Sequence, residues 1–352
     1  MKINTQLLLA TFAIQNPSRN IACNNEAMRV IESLAPDGCI VVKSSGNMII
    51  RKGDTSGTHP MYLAHMDQVH SYAPFMTLHI KNDVLSAYDG NGKQCGTGGD
   101  DKCGVYLALE MLHHLPNVSC VFVRDEEVGC LGSGIVPIGW FDNAAFVIQS
   151  DRNNRTFDIV RKTNGMNCAS DAFMNALLAL PVACKHNEES GSVTDIGELA
   201  SRGLPVSCVN ISSGYHNPHQ DTEIVRLSEL AIACELALQA GLLHGGVVWE
   251  HTPTSTYAEY ATVGHYSSSY GRSRTGRGAP YYDYLEDIND KFYAADEISD
   301  ANLGSVFEST PERERLITSL EAFGYDRTYD MLENFDTDEL EDWVDSEGLA
   351  TI

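Results

Sequence analysis

Three features are scarce in this chain of 352 residues: paired cysteines, long apolar runs and positive charge. Its 10 cysteines all lie between Cys23 and Cys234 without a Cys-x-x-Cys pair, which excludes a zinc ribbon and a dense secreted disulfide framework. No apolar run reaches the length that a membrane span needs. Because scattered single cysteines are typical of reduced thiols, we expect a cytoplasmic protein with no membrane partner.

Positive charge is low throughout, since 24 Lys and Arg face 48 Asp and Glu for a net charge of −24. Residues 285–352 alone hold 20 Asp and Glu against 4 Lys and Arg, a net charge of −16. Such a tail repels phosphate backbones and anionic lipids, so nucleic acid is a poor candidate partner. Whether this acidic region binds another partner, self-associates or only keeps the chain soluble stays open.

The order of the apolar segments predicts an α/β fold. Short apolar runs at 61–64, 119–123, 145–149 and 206–211 alternate with helical stretches, among them 102–114 and 223–243. Strands buried on both faces that alternate with helices are typical of a largely parallel sheet. We therefore expect a three-layer sandwich around a mostly parallel central sheet at residues 1–250.

The composition changes after this first region. Residues 251–285 are rich in Ser, Tyr, Gly and Arg, which predicts a flexible linker. Residues 286–352 contain helix signals, such as Thr310-Pro311 before 313–323 and Gly324 after it, in a strongly acidic context. They predict a small acidic helical extension, either a folded module or a tail.

Metal-binding residue types follow each of the four predicted strands and begin one helix. Ligands collect at the carboxyl ends of parallel strands, so these clusters are expected to meet. Each cluster alone has a simpler explanation, such as a helix cap at an aspartate pair or a solvated turn. The clusters are His65 with Asp67, the Asp100-Asp101 pair, Glu126 with Glu127, Asp151, and the loop that contains His216 and His219.

Together, the five clusters predict a dinuclear metal centre. They supply two histidines, three carboxylates and one further glutamate, a set that suits two zinc ions with a shared carboxylate. Two such ions hold and activate a water, and the further glutamate can take its proton. Cobalt and manganese suit the same ligands, so the native metal stays open.

The same motifs resemble those of the co-catalytic zinc exopeptidases, the clan of peptidase T, the glutamate carboxypeptidases and several bacterial aminopeptidases. The likeness spans about residues 1–245, and Asp-Glu-Glu-Val-Gly at 125–129 is its most specific motif. It implies a metal-dependent hydrolase that releases terminal residues from small peptides. An N-acyl amino acid deacylase with the same centre, and a retired peptidase that only binds, are the alternatives.

The resemblance also implies the role of each residue. It makes Glu126 the general base and Asp67 the residue that orients the imidazole of His65. It implies that Asp100 bridges both ions and that the peptide bond between Asp100 and Asp101 is cis. His219 is favoured as the last ligand from its spacing to Glu223, although His216 fits the aminopeptidase style. The implied metal ligands are His65, Asp100, Glu127, Asp151 and His219, with His65 and Asp151 on one ion and Glu127 and His219 on the other.

Two departures from the clan bear on the substrate. Only 67 residues separate Asp151 from His219, too few for the lid domain of peptidase T relatives, so we expect a lidless core. The arginine that those relatives carry before a Gly-Thr-Asp motif has no counterpart, and Glu188 and Glu189 precede Thr194-Asp195 instead. The acidic pair either meets a substrate amino group or lies on a solvated loop. The terminus attacked, the side-chain preference and the oligomeric state stay open.

Overall fold

The structure is a computed structural model that describes residues 1–153 and 157–255. Apart from residues 251–255, the predicted linker and the predicted acidic extension lie outside the described residues. The described chain forms these α-helices: α1 (Thr5–Phe12), α2 (Ile21–Leu34), α3 (Gly99–His114), α4 (Leu131–Ile135), α5 (Asp171–Leu178), α6 (Asp195–Ser201) and α7 (Leu227–His244). Two 3-10 turns, Ile138–Phe141 and Pro181–Lys185, connect neighbouring elements.

The main sheet has ten strands: β1 (Ile40–Ser44), β2 (Asn47–Lys52), β3 (His59–His65), β7 (Val118–Val123), β8 (Ala144–Arg152), β9 (Asp158–Thr163), β10 (Met166–Asn167), β11 (Asn187–Ser190), β12 (Cys208–Ser212) and β15 (Thr254–Ser255). Their order is β1-β2-β7-β3-β8-β12-β9-β10-β15, with β11 beside β9. The central strands β7, β3, β8 and β12 are mutually parallel, whereas β1, β2, β10 and β15 pair antiparallel. The predicted α/β fold with a mostly parallel sheet is confirmed.

Helices cover both faces of this sheet because successive side chains of each strand point to opposite sides. On β3, Tyr62 and Ala64 pack into one core with α1, α2, α3, α5 and α7. Met61 and Leu63 pack into a second core that includes buried side chains of α6. The domain is therefore a three-layer sandwich.

Helix α7 is long and apolar enough to cross a membrane by length and composition alone. Seven of its residues are nevertheless buried in the domain, including Leu230, Leu236 and Ala240. The hydroxyl of Tyr62 donates to the carbonyl oxygen of Ala237 over 2.8 Å. The apolar face of α7 is thus explained by packing against the sheet.

A second, smaller sheet lies outside the sequence prediction. Its strands are β4 (Thr77–Lys81), β5 (Val84–Tyr88), β6 (Gln94–Cys95), β13 (Tyr215–His216) and β14 (Ile224–Arg226). Strand β14 pairs antiparallel with β5, so that Val225 lies opposite Leu85. The described helices and strands between Asp151 and His219, from β9 to β13, all belong to the two sheets and the layers that cover them, in agreement with the expected lidless core.

Candidate metal centre

The register of the parallel strands brings the predicted clusters to one edge of the sheet. His65 ends β3 and lies opposite Val123, the last residue of β7. Leu63 lies opposite Gln149 of β8, so that the same register places Asp151, two residues later, level with His65. The chain after β7 turns at once into the Glu126-Glu127 pair. Three of the five clusters therefore meet through sheet register alone.

Asp100 lies at the middle of the cluster, with its two carboxylate oxygens directed at different histidines. Its Oδ1 is 3.2 Å from Nε2 of His65, and its Oδ2 is 3.4 Å from Nε2 of His219. The same nitrogen of His65 is 3.6 Å from Oδ1 of Asp151, and that of His219 is 3.1 Å from Oε2 of Glu127. The structure thus groups the five residues into two sets that share Asp100.

The two histidines considered for the last position lie in different surroundings. His219 belongs to the loop between β13 and β14, and its imidazole faces Asp100 and Glu127. The imidazole of His216 instead lies 2.6 Å from Oε2 of Glu229, at the start of α7. The structure therefore brings His219, and not His216, into the cluster.

Asp67 contacts both the first histidine and the glutamate turn. Its main-chain oxygen is 3.0 Å from Nδ1 of His65, which leaves Nε2 directed at Asp100. Its carboxylate accepts hydrogen bonds from the main-chain N–H groups of Glu126 at 2.9 Å and Glu127 at 3.3 Å, and from the hydroxyl of Ser18 at 2.7 Å. One aspartate therefore fixes the imidazole and both glutamates.

Glu223, which entered the sequence prediction only through its spacing to His219, holds Asp100 and the start of α3 in place. Glu223 is fully buried, and its carboxylate accepts hydrogen bonds from the N–H groups of Gly98 at 2.7 Å and Asp100 at 3.3 Å. The peptide bond between Asp100 and Asp101 is cis, as the resemblance implied. Gly98 has a φ of 63°, in the left-handed region that favours glycine.

Asp151 is held by polar side chains that sequence reasoning missed. Gln149 donates to its Oδ2 over 3.1 Å, and the hydroxyl of Thr194 does so over 3.3 Å. The side chain of Asn210 accepts from its N–H and donates to its carbonyl oxygen, each over 2.9 Å. The sequence signal that could have indicated Gln149 is its position two residues before Asp151, because side chains two apart on a strand point to the same face of the sheet.

Carboxyl groups outnumber the histidines in this buried cluster. Burial, together with the negative charges of Asp151 and Asp195, raises the pKa of Glu126 to about 10. Burial and Asp100 raise that of Glu127 to about 7. The carboxyl groups that interact here are Asp67, Asp100, Asp101, Glu126, Glu127, Asp151 and Asp195, against the imidazoles of His65 and His219.

The residues present fit divalent cations. A cation between the carboxylates lowers their pKa values by offsetting the repulsion among them. Oε1 of Glu127 is buried and has no hydrogen-bond partner among the described residues, although a buried carboxylate oxygen normally has one. Groups of ligand atoms close enough to hold one ion occur around His65, with Asp100 and Glu127, and with Asp101 and Asp151. Imidazole and carboxylate are the ligands that zinc, cobalt and manganese accept.

The cluster opens into a cleft of about 440 Å³. Asp100, Glu126, Glu127, Asp151 and His219 all line it, so each is accessible to a small ligand. The remaining lining residues are Gly129, Arg152, Asn153, Ser192, Val193, Tyr215 and Pro218.

The acidic pair considered for amino-group recognition does not line this cleft. Glu188 and Glu189 lie on β11, where every residue is exposed. Oε1 of Glu188 accepts from Nε of Arg161 over 2.7 Å. Of the two alternatives, the structure therefore favours a solvated segment.

Comparison with known proteins gives the fold its context. The sequence matches no protein-family model, and no curated protein matches it. The aminopeptidase PepT of Bacillus cereus shares the fold with a TM-score of 0.51 and 14% identity, over 66% of this chain and 96% of that chain. A tripeptidase of Staphylococcus aureus does so with a TM-score of 0.53 and 13% identity, over 68% and 97%.

The TET1 peptidase of Pyrococcus horikoshii, which can assemble into a tetrahedron or a large octahedral shell, is a third example. Its TM-score is 0.51 at 12% identity, over 67% of this chain and 98% of that chain. At such identities the likeness concerns the fold alone. The chain has the fold of these peptidases, which confirms the resemblance at that level.

Proposed function

We propose that this chain is a metallo-exopeptidase that hydrolyses terminal residues of small peptides with two divalent metal ions. The observation that carries the proposal is the position of Asp100, whose two carboxylate oxygens face different histidines at 3.2 Å and 3.4 Å. A single carboxylate between two ligand sets is the arrangement that a dinuclear hydrolytic centre needs. A structural ion pair would not require the second set.

The contacts support a division of the ligands between two ions. His65 and Asp151 would hold one ion, Glu127 and His219 the other, and Asp100 both. Zinc is the favoured metal, since two imidazoles and three carboxylates with an open position suit a catalytic zinc site. When bound, two such ions polarise a carbonyl group and lower the pKa of a water between them.

Glu126 is the proposed general base. It lines the cleft beside the ligands, and its N–H is fixed by the carboxylate of Asp67. The carboxylate of Glu126 takes a proton from the attacking water and then delivers it to the leaving amine. The thiol of Cys130 donates a hydrogen bond to Oε1 of this carboxylate over 3.6 Å.

Self-association belongs to the proposal, because TET1, which shares the fold, can assemble into shells. A cytoplasmic location and a small peptide substrate also remain predictions. Chromatography with light scattering would measure the assembly.

The first experiment compares metal content and activity in the purified chain and in Glu126→Gln. We expect about two metal equivalents in both proteins, measured by mass spectrometry, because Glu126 is not among the proposed ligands. Leucine release from short peptides is expected to fall by about 100- to 10,000-fold in Glu126→Gln, as is typical when a general base is lost. Glu26→Gln, on the surface of α2, is the matched control and should match the wild type.

Each component of the proposal has its own contrary result. Less than one equivalent of metal after zinc reconstitution would refute the dinuclear centre. Two equivalents of metal, hydrolysis of N-acyl amino acids and no leucine release from free peptides would show that the same centre is a deacylase. Two equivalents without any hydrolysis would favour a binding protein.

A further inference from the structure

The cleft contains one strong cation that the proposed mechanism does not use. Arg152 is the only lysine or arginine among its described lining residues, and it directly follows the proposed ligand Asp151. Four of the other lining residues are carboxylic acids, namely Asp100, Glu126, Glu127 and Asp151. An arginine that served only to neutralise these four carboxylates would form an ion pair with one of them. Arg152 instead forms its ion pair with Asp158, outside the cleft lining.

That ion pair orients the guanidinium group. Nε of Arg152 donates to Oδ2 of Asp158 over 2.7 Å, and the carboxylate of Asp158 is 5% exposed while the arginine side chain is 29% exposed. Its Nη atoms have no hydrogen-bond partner in residues 1–153 and 157–255. Gly191 lies beside them, since a side-chain carbon added there would be 3.7 Å from Nη1. A buried carboxylate thus holds one side of the fork, and the other side is available to a ligand.

We propose that Arg152 binds the free terminal carboxylate of the substrate, which restricts the centre to dipeptides and tripeptides. The inference rests on the proposed function, and it names the substrate class of the same cleft. The planar fork of arginine matches a carboxylate in two parallel hydrogen bonds. A chain of net charge −24 attracts the cationic amide of a dipeptide more than its zwitterionic free acid at long range, so a preference for the free acid needs a local cation.

Geometry limits the length of the substrate. Arg152 lines the same cleft as the proposed ligands. An extended peptide advances about 3.3–3.6 Å per residue, so a carboxylate that meets Arg152 inside this cleft belongs to a residue one or two positions beyond the scissile bond. The cleft volume of about 440 Å³ is also at the small end of the range for small-molecule sites.

The test compares Leu-Gly with its C-terminal amide, using zinc-loaded full-length protein. We expect the wild type to prefer the free acid in kcat/KM by about 10- to 100-fold, the range of one charge-assisted contact. Arg152→Met should reduce this preference to within about threefold of unity, mainly through KM, because the contact is made before and during the reaction. Arg152→Lys should retain part of the preference, since it keeps the charge but not the fork.

Arg161→Met is the matched control, because Arg161 is an ion-paired arginine on β9, the next strand along the chain, and does not line the cleft. Its preference should equal that of the wild type. Metal content is measured for every variant, so that loss of metal is not mistaken for loss of recognition. A wild-type ratio near unity, or a ratio unchanged in Arg152→Met, would overturn the proposal.

A third substrate, Leu-Asp with an amidated C-terminus, separates a terminal carboxylate from an acidic side chain. Hydrolysis of this amide as fast as Leu-Gly would overturn terminal recognition in favour of side-chain recognition. If the wild type cleaves none of the three substrates, the proposed peptidase function is refuted, but the role of Arg152 in binding is not yet decided. Calorimetric binding of Leu-Gly and its amide then still decides the role of Arg152: a preference lost in Arg152→Met supports it, and equal affinities overturn it.

Discussion

Asp67 offers the sharpest test of how the centre is assembled. Its buried carboxylate accepts hydrogen bonds from Ser18 and from the N–H groups of Glu126 and Glu127, and Oδ1 lies 3.4 Å from Nδ1 of His65. In Asp67→Asn, the side chain has one acceptor oxygen and one NH₂ group. Whichever way the amide is turned, the NH₂ group faces a main-chain N–H, so at least one bond to the glutamate turn is lost.

The magnitude follows from these contacts. A hydrogen bond to a charged group contributes about 1.5–3 kcal/mol, and a buried donor left without a partner adds to the cost. We therefore expect Asp67→Asn to lower the free energy of unfolding by about 2–4 kcal/mol. Loss of a residue that orients a metal-bound imidazole typically lowers metal affinity or activity by about 10- to 100-fold.

Urea unfolding of the metal-free protein gives the stability change, and zinc titration against a chelating dye gives the affinity. Asp54→Asn is the matched control, because Asp54 accepts from the hydroxyl and N–H of Ser56 on the exposed surface. Both quantities should be unchanged in that variant. If Asp67→Asn bound zinc within threefold of the wild type and kept its kcat/KM, Asp67 would have no orienting role.

Three further predictions concern the ligands themselves. His219→Gln should reduce bound zinc from two equivalents to about one, while His216→Gln should retain both; equal metal loss in the two variants would contradict the assignment. Asp100→Asn should lose metal together with activity, unlike Glu126→Gln, because only Asp100 is shared; retention of both ions would contradict the bridge. The hydrogen bond to Asp100 raises the pKa of His219 to about 9, so zinc must displace a proton at pH 7, and affinity should fall as pH decreases. Calorimetry in two buffers of different ionisation enthalpy measures that release, and a buffer-independent enthalpy would refute it.

The main sheet and its metal-binding cluster could be predicted from the sequence because they depend on local sequence signals. Each central strand is an apolar run buried on both faces, so its length and its end are visible without knowledge of the fold. The polar residue after each run is then at the sheet edge by topology. His65 and Asp151 illustrate this, since each stands at or near the end of its strand.

The second sheet could not be predicted from the sequence in the same way. Four of the five residues in Thr77–Lys81 are exposed, so no apolar run or clean alternation marks β4. Strand β5 obtains a neighbour in β14, about 140 residues later in the chain, where Arg226 lies opposite Val84. Pairing between such distant segments leaves little local signal. Arg152 escaped notice for a related reason, because only the fold places it in the cleft.

The two ligand sets of the centre consequently differ in their exposure and in the sheet that carries them. His65 and Asp151 come from the main sheet, and their side chains are 0% and 8% exposed. His219 comes from the loop that joins two strands of the second sheet, has a φ of 62°, and is 50% exposed. Glu223 belongs to that same loop and binds the N–H of Asp100, so the second sheet fixes both the last histidine and the shared aspartate. The described elements between Asp151 and His219 form no lid domain. The second sheet therefore supplies the side of the cluster that the main sheet leaves without a ligand.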